Sequence, residues 1–143
     1  MTTWLLKSEP DVYSYDDLVR DQRTHWDGVT SAPAQKHMRA IEEGDEAFIY
    51  HSGDEKRIVG LAKVVRGAYE DPDHAGETIA STGEPKFVLF DLAPKKAAKE
   101  PVPLSKIKGD KRFAEFTLVK QSRLSVMPVP PALDKVLREW AGL

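Results

Sequence analysis

The sequence contains no cysteine, which excludes a disulfide scaffold, a thiolate nucleophile and every thiolate metal site. No run comes near the roughly 18 to 20 consecutive apolar residues that a membrane-spanning helix needs. The opening Met-Thr-Thr-Trp-Leu-Leu-Lys lacks the basic segment and long apolar core of a signal peptide, so a cytoplasmic protein without membrane contact is expected. Catalytic signatures are equally scarce. The histidines at 25, 37, 51 and 74 show no metal-ligand spacing, and no Gly-x-Ser-x-Gly elbow, phosphate-binding Gly-rich loop or dinucleotide fingerprint occurs. His51 and Ser52 adjoin, but neighbours on a regular strand point to opposite faces, so they form no dyad unless the strand ends or bulges there. A protein that is not an enzyme and carries neither metal nor cofactor is expected. Repeats, low-complexity tracts and long Gly/Ser linkers are absent too, so nothing marks a domain boundary.

What is present fits one domain over residues 1–143. The chain has 31% charged and 41% hydrophobic residues, a globular composition. Its length suits a single core. The net charge of −2 argues against unspecific wrapping of a nucleic-acid backbone, yet it conceals an asymmetry: residues 95–123 carry +6 and the remainder −8. That basic segment reads either as a solvated run of lysines among prolines in a loop or as a phosphate-facing patch.

Local patterns give the elements. Trp4-Leu5-Leu6-Lys7 reads as a strand ended by Glu9-Pro10, and Ser14 with Asp17 as a capping box opening a short helix. Pro33 suits the first turn of a second helix over Ala34 to Ile41, closed by Gly44. Residues 45–50 and 57–66 read as a hairpin, with Gly60 permitting a bend. Asp71 to Pro85 is a polar loop, and strand character resumes from Phe87 to Leu92. Further on, Leu104 to Ile107 and Phe113 to Phe116 are short helices, while Leu118-Val119-Lys120 and Leu124 to Met127 are short strands. Pro131 opens a last helix whose stripe is Leu133, Val136, Leu137 and Trp140. Five or six short strands interrupted by small helices, without regular βα alternation, predict an α+β protein on a bent sheet or small barrel.

Polar residues at predicted strand ends stand beside aromatics: Lys7-Ser8-Glu9, Trp26-Asp27-Gly28, His51-Ser52 and Ser125. A planar heterocycle needs those ingredients, an aromatic face and a few donors and acceptors for its edge. Each also has a plain structural role open to it, Trp26 as core and the serines as strand-end caps.

These segments resemble the EVE domain family of the PUA-like superfamily. The matching stretches are Trp4 to Pro10 with Tyr15 to Leu18, Trp26-Asp27-Gly28-Val29, Met38-Arg39, Gly44-Asp45, Tyr50-His51-Ser52, Val59 to Val65 with Ala68 to Pro72, Phe87 to Leu92, and Arg123 to Val129. The resemblance implies a PUA-like bent sheet or pseudo-barrel flanked by short helices, with a pocket similar to that of domains that read methylated adenine. It implies a reader of modified bases in DNA or RNA, without cofactor or catalysis. Its pocket positions correspond to Lys7, Ser8, Glu9, Trp26, His51, Ser52 and Ser125, with Phe87 where most members carry Trp. After Trp-Asp-Gly-Val the family usually continues Arg-Asn-Tyr-Gln-Ala-Arg-Asn, whereas this chain has Thr30-Ser31-Ala32-Pro33-Ala34-Gln35-Lys36. Ser31 then offers one hydroxyl where an amide would offer two donors and an acceptor.

The expected ligand is therefore nucleic acid carrying a modified base, bound by a monomer with Trp26 stacking, serines reading the edge, and Lys7, Lys120 and Arg123 on phosphate. The alternatives are a nucleic-acid-processing enzyme using His51 with Lys7 or Glu9, and a module for a protein or small metabolite whose base pocket is filled by its own side chains.

Overall fold

Every residue of Glu46-Ala47-Phe48-Ile49-Tyr50-His51 is buried, as expected for a strand covered on both faces, and this strand, β3, lies inside the sheet. The computed structural model describes all residues 1–143. β3 pairs in parallel with β1 (Thr3–Ser8) and forms the predicted antiparallel hairpin with β4 (Arg57–Glu70). β2 (Thr24–Trp26), β5 (Val88–Pro103) and β6 (Val126–Pro128) complete a six-stranded sheet in the order β2-β5-β4-β3-β1-β6. Four register shifts between β4 and β5 bend the sheet into a half-barrel whose end strands, β2 and β6, do not pair with each other.

The helices are α1 (Tyr15–Asp21), α2 (Ala32–Arg39), α3 (Leu104–Lys108), α4 (Thr117–Lys120) and α5 (Pro131–Ala141). α1 starts with the predicted box: Ser14 accepts from the Asp17 N–H and Asp17 from the Ser14 N–H. α2 carries Pro33 in its first turn as expected but runs two residues earlier than the predicted 34–41, with Ser31 as its N-cap. Gly44, at φ +92°, lies beyond α2 in the turn entering β3. α5 buries Val136, Leu137 and Ala141, so its stripe docks as anticipated.

Gly60 answers to a close approach. A Cβ there would lie 2.6 Å from the Tyr15 ring, which crosses the strand to donate its hydroxyl to the Leu61 carbonyl at 2.8 Å.

Three expectations are corrected. Strand β5 does not stop at Leu92 but runs to Pro103 through the proline- and lysine-rich stretch expected to be a loop. Past Leu92 only β4 pairs with it, β2 having ended, so Pro94, Pro101 and Pro103 sit where one edge lacks a strand partner and missing N–H donors are tolerated. Residues 118–120 form α4, where a strand was expected; Phe116 opens that turn while Leu118 and Phe116 are buried. The helix expected at 113–116 is a 3-10 turn over Lys111–Phe113.

No buried side-chain polar atom lacks a hydrogen-bond partner. The densest polar network lies at the start of β1. Glu46 holds Lys95 and Arg138; Arg138 also pairs with Asp134 at 2.6 Å, and Asp134 accepts from Thr3 at 2.8 Å. Next to it Trp4 donates to Asp45 at 2.9 Å, and Asp45 also receives the N–H groups of Thr2 and Glu42. These contacts fasten α5 and the α2–β3 turn to the sheet.

Candidate functional site

The unpaired ends of the half-barrel leave a seam, and a cleft of about 730 Å³ opens there. One wall is β2, carrying Thr24, His25 and Trp26; the other is the end of β1, with Lys7, Ser8 and Glu9, together with Ser125 just before β6. Its floor and rim continue through Asp27, Gly28, Val29, Thr30 and Ser31. Gly28 adopts φ +73°, a left-handed turn that redirects the chain from β2 towards the cap of α2.

Each wall is held by identifiable contacts. The Lys7 N–H donates to the Ser125 carbonyl at 2.9 Å, and the Ser52 N–H to the Ser8 carbonyl at 3.0 Å. The Ser8 hydroxyl donates to the Tyr13 carbonyl, which leaves its oxygen lone pairs for another partner. Lys7 Nζ donates to the Ser122 carbonyl at 2.7 Å and lies 5.9 Å from the Tyr50 ring centroid, and burial pushes its pKa down. Trp26 is 8% exposed, backed by Phe90 at 6.4 Å between centroids and 25° between planes. It is both core residue and cleft wall. Gln35, 3% exposed, donates to the Val29 carbonyl at 2.7 Å and accepts from the Val88 N–H at 2.9 Å, tying the cleft rim to β5.

Of the residues singled out from the sequence, Lys7, Ser8, Glu9, Trp26, Ser31 and Ser125 line this one cleft. The cleft is open, not plugged by the molecule's own side chains. Ser31 also caps α2, its oxygen accepting from the Ala34 N–H at 3.4 Å, and its own proton stays free. His51, Ser52 and Phe87 lie elsewhere. His51 is 7% exposed; its Nε2 accepts the Tyr15 N–H at 3.0 Å, which puts the proton on Nδ1, facing Glu55 at 3.0 Å. It joins α1 to β3 and to the following turn. Ser52 lies in that turn, beyond the end of β3. Phe87 packs against His74, centroids 4.3 Å apart, and lines a different cleft. Lys120 and Arg123 flank a smaller hollow of about 380 Å³ that shares Ser31 with the main cleft; Lys120 pairs with Glu115 at 3.3 Å.

Sequence reasoning missed Thr24, His25 and Thr30. His25 and Asp27 face each other at 3.3 Å on the rim, both well exposed. The signal for the three missed residues was adjacency to Trp26-Asp27-Gly28: a strand that delivers Trp26 to a cleft brings its neighbours to the same mouth. Chemically the cleft offers one indole, the hydroxyls of its serines, threonines and Tyr13, the carboxylates of Glu9 and Asp27, a lysine and a histidine around an open space. No group of three or more His, Asp or Glu side chains is placed to hold a metal ion.

A curled six-stranded sheet with five short helices is an α+β fold of the PUA-like, ASCH-containing type. The fold alone is shared with ASCH from Zymomonas mobilis, at 11% identity and a TM-score of 0.55 over 96% of this chain and 94% of that one. Closer likenesses are a Rhodopseudomonas palustris protein (42% identity, TM-score 0.87, 99% of this chain and 94% of that one) and human THYN1 in complex with DNA containing 5-methylcytosine (29%, 0.82, 98% of each). The chain belongs to the EVE domain family, whose model matches residues 2–139. Thymocyte nuclear protein 1 of chicken and of human are each 32% identical over 88% of this chain. The chain spans 63% of the chicken protein's length and 68% of the human one's.

Proposed function

We propose that the protein is a non-catalytic binding module that takes one modified base of a nucleic acid into the seam cleft, with DNA the favoured ligand. The observation that carries this reading is the open cleft itself, where Trp26 and the hydroxyls of Ser8, Ser31 and Ser125 converge from separate stretches of chain. The human relative's complex with 5-methylcytosine DNA supports it. Bases stacked in a duplex cannot enter such a recess, so the base arrives extruded or on a single strand. Trp26 supplies the apolar wall. Ser8, whose proton is engaged, and the carboxylates of Glu9 and Asp27 are acceptors, a set suited to an exocyclic amino group such as that of cytosine. Ser125 and Lys7 complete the edge and the approach of phosphate, which Arg123 and Lys120 extend across the neighbouring hollow. The acid–base alternative through His51 loses support, because both ring nitrogens are engaged inside the fold.

The test is a titration of single-stranded DNA and RNA, with and without 5-methylcytosine, against the wild type, Ser125→Ala and Trp26→Phe. Phenylalanine is used because Trp26 packs on Phe90, and truncation to alanine would also open the core. The wild type should prefer a modified strand, and each variant should lose about fivefold or more of that preference, roughly one hydrogen bond or part of a stacking contact. Equal binding of every oligonucleotide refutes the reading.

A further inference from the structure

On the far side of Thr30 from the seam lies a second cleft of about 740 Å³, between α2 and residues 78–87. Its apolar surface is Ala32, Pro33, Ile79 and Phe87, and its charged residues are Lys36, Arg39 and Lys86. No acidic residue lines it. None of the three cations belongs to any of the molecule's ion pairs. Arg39 donates to the Lys86 carbonyl at 3.3 Å, which joins the two walls and leaves the rest of the guanidinium unpaired. In a chain whose net charge is −2, three unpaired cations facing one recess without a counter-charge form a local anion site. The recess also adjoins the seam, since Thr30 lines both clefts, and Pro33 lines both this cleft and the hollow beside Arg123.

We propose that this second cleft holds the phosphate backbone of the nucleotides next to the base bound in the seam, so that one strand crosses residues 30–33. The inference rests on the base-binding reading above. Lys36, Arg39 and Lys86 neutralise consecutive phosphates, while Phe87 and Ile79 cover the sugar face. Affinity in this cleft is independent of base identity, because cations on a phosphodiester carry no sequence information.

The experiment measures binding of short single-stranded DNA, with and without one 5-methylcytosine, as a function of salt. It compares the wild type with the triple variant Lys36→Gln/Arg39→Gln/Lys86→Gln and the charge-matched control Lys96→Gln/Lys99→Gln/Lys108→Gln. Thermal unfolding confirms that all three are folded. At roughly 0.7 per phosphate contact, loss of three contacts should make the slope of log K against log salt shallower by about 2. Both oligonucleotides should weaken by the same factor, and the control should keep the wild-type slope. Free 5-methyldeoxycytidine should bind wild type and triple variant alike.

An unchanged slope in the triple variant overturns the proposal, as does an equal change in the control, which would mean an effect of net charge. Weaker binding of the free nucleoside by the triple variant also overturns it, by placing the base in this cleft. If the wild type shows no base preference yet the triple variant alone loses slope, the backbone site stands and the base-binding reading falls. A preserved preference with an unchanged slope means the opposite: the base site stands and the backbone site falls.

Discussion

The two ends of β1 lie on one short strand and treat polar groups in opposite ways. At its start, Thr3, Glu46, Asp134 and Arg138 spend their hydrogen-bonding capacity on one another, and Asp45 accepts from the Trp4 indole and the N–H groups of Thr2 and Glu42. At its finish, Lys7, Ser8 and Glu9 line an open cleft, where Ser125 beside them and Ser31 on the rim keep hydroxyl capacity unspent. Burial alone does not separate the two ends, because Trp26 in the cleft wall is almost as buried as Glu46. The difference is whether the partner sits inside the chain. Closed networks hold elements together; the cleft groups keep capacity to spare, which is what the proposed base-binding role would draw on.

Breaking the closed end should cost the most. Arg138→Ala leaves Glu46, 6% exposed, short of a partner, and is expected to lower unfolding free energy by about 3 kcal/mol in urea titrations while leaving oligonucleotide binding intact. His51→Phe removes the acceptor of the buried Tyr15 N–H and should cost about 2 kcal/mol, again read from the urea midpoint, with no change in base preference.

Acid sharpens the same contrast. Burial opposes ionisation of Glu46, but Lys95 and Arg138 outweigh it; at Asp91 burial is outweighed by the Tyr69 hydroxyl and Arg23. Both carboxyls are therefore held below their ordinary values of 4.5 and 3.8 in the folded state. A lowered folded-state value means the stabilisation is fully present above those ordinary values and is lost as pH falls through the folded ones. The urea midpoint should hold down to the ordinary carboxylate range and drop below it, more gently in Glu46→Gln. Tyr69, pushed up to about 12 by burial and the neighbouring Asp91, stays protonated throughout.

At the open end, stability should barely move. Ser125→Ala is expected to change unfolding free energy by less than about 0.5 kcal/mol, since its hydroxyl holds nothing in the fold, yet to weaken the favoured oligonucleotide severalfold. A stability loss comparable to that of Arg138→Ala would erase the distinction between the two ends.

Much of this was legible in the sequence because it is local. The capping box at Ser14, the hairpin of residues 45–50 with 57–66, the stripe of α5 and the strand ended by Glu9-Pro10 are each written within a short stretch of chain. Lys7, Ser8, Glu9, Trp26 and Ser125 of the cleft were also within reach, since they stand at predicted strand ends and bring or adjoin an aromatic, whereas Ser31 came only with the family resemblance. What escaped was long-range. Nothing near His51 announces that the Tyr15 N–H will occupy it, and nothing near Gly60 announces the Tyr15 ring. Basic residues misled in the same way. Lys95, Arg112 and Lys120 of the positive segment are paired with Glu46, Asp110 and Glu115, whereas Lys36, Arg39 and Lys86, scattered among acids in the sequence, meet in one cleft. Strand β5 outran its predicted end because a lone free edge tolerates proline, a condition set by where β2 stops.

That half-bare border has its own consequence. An approaching chain seeking to extend the sheet beyond Leu92 would meet proline nitrogens without a proton at positions 94, 101 and 103 and the ammonium groups of Lys96 and Lys99. Neither supplies the amide rung that intermolecular ladders require, and like charges on a second copy would repel. The longest strand in the molecule is thereby guarded against fibrillar growth by the very residues that hid it.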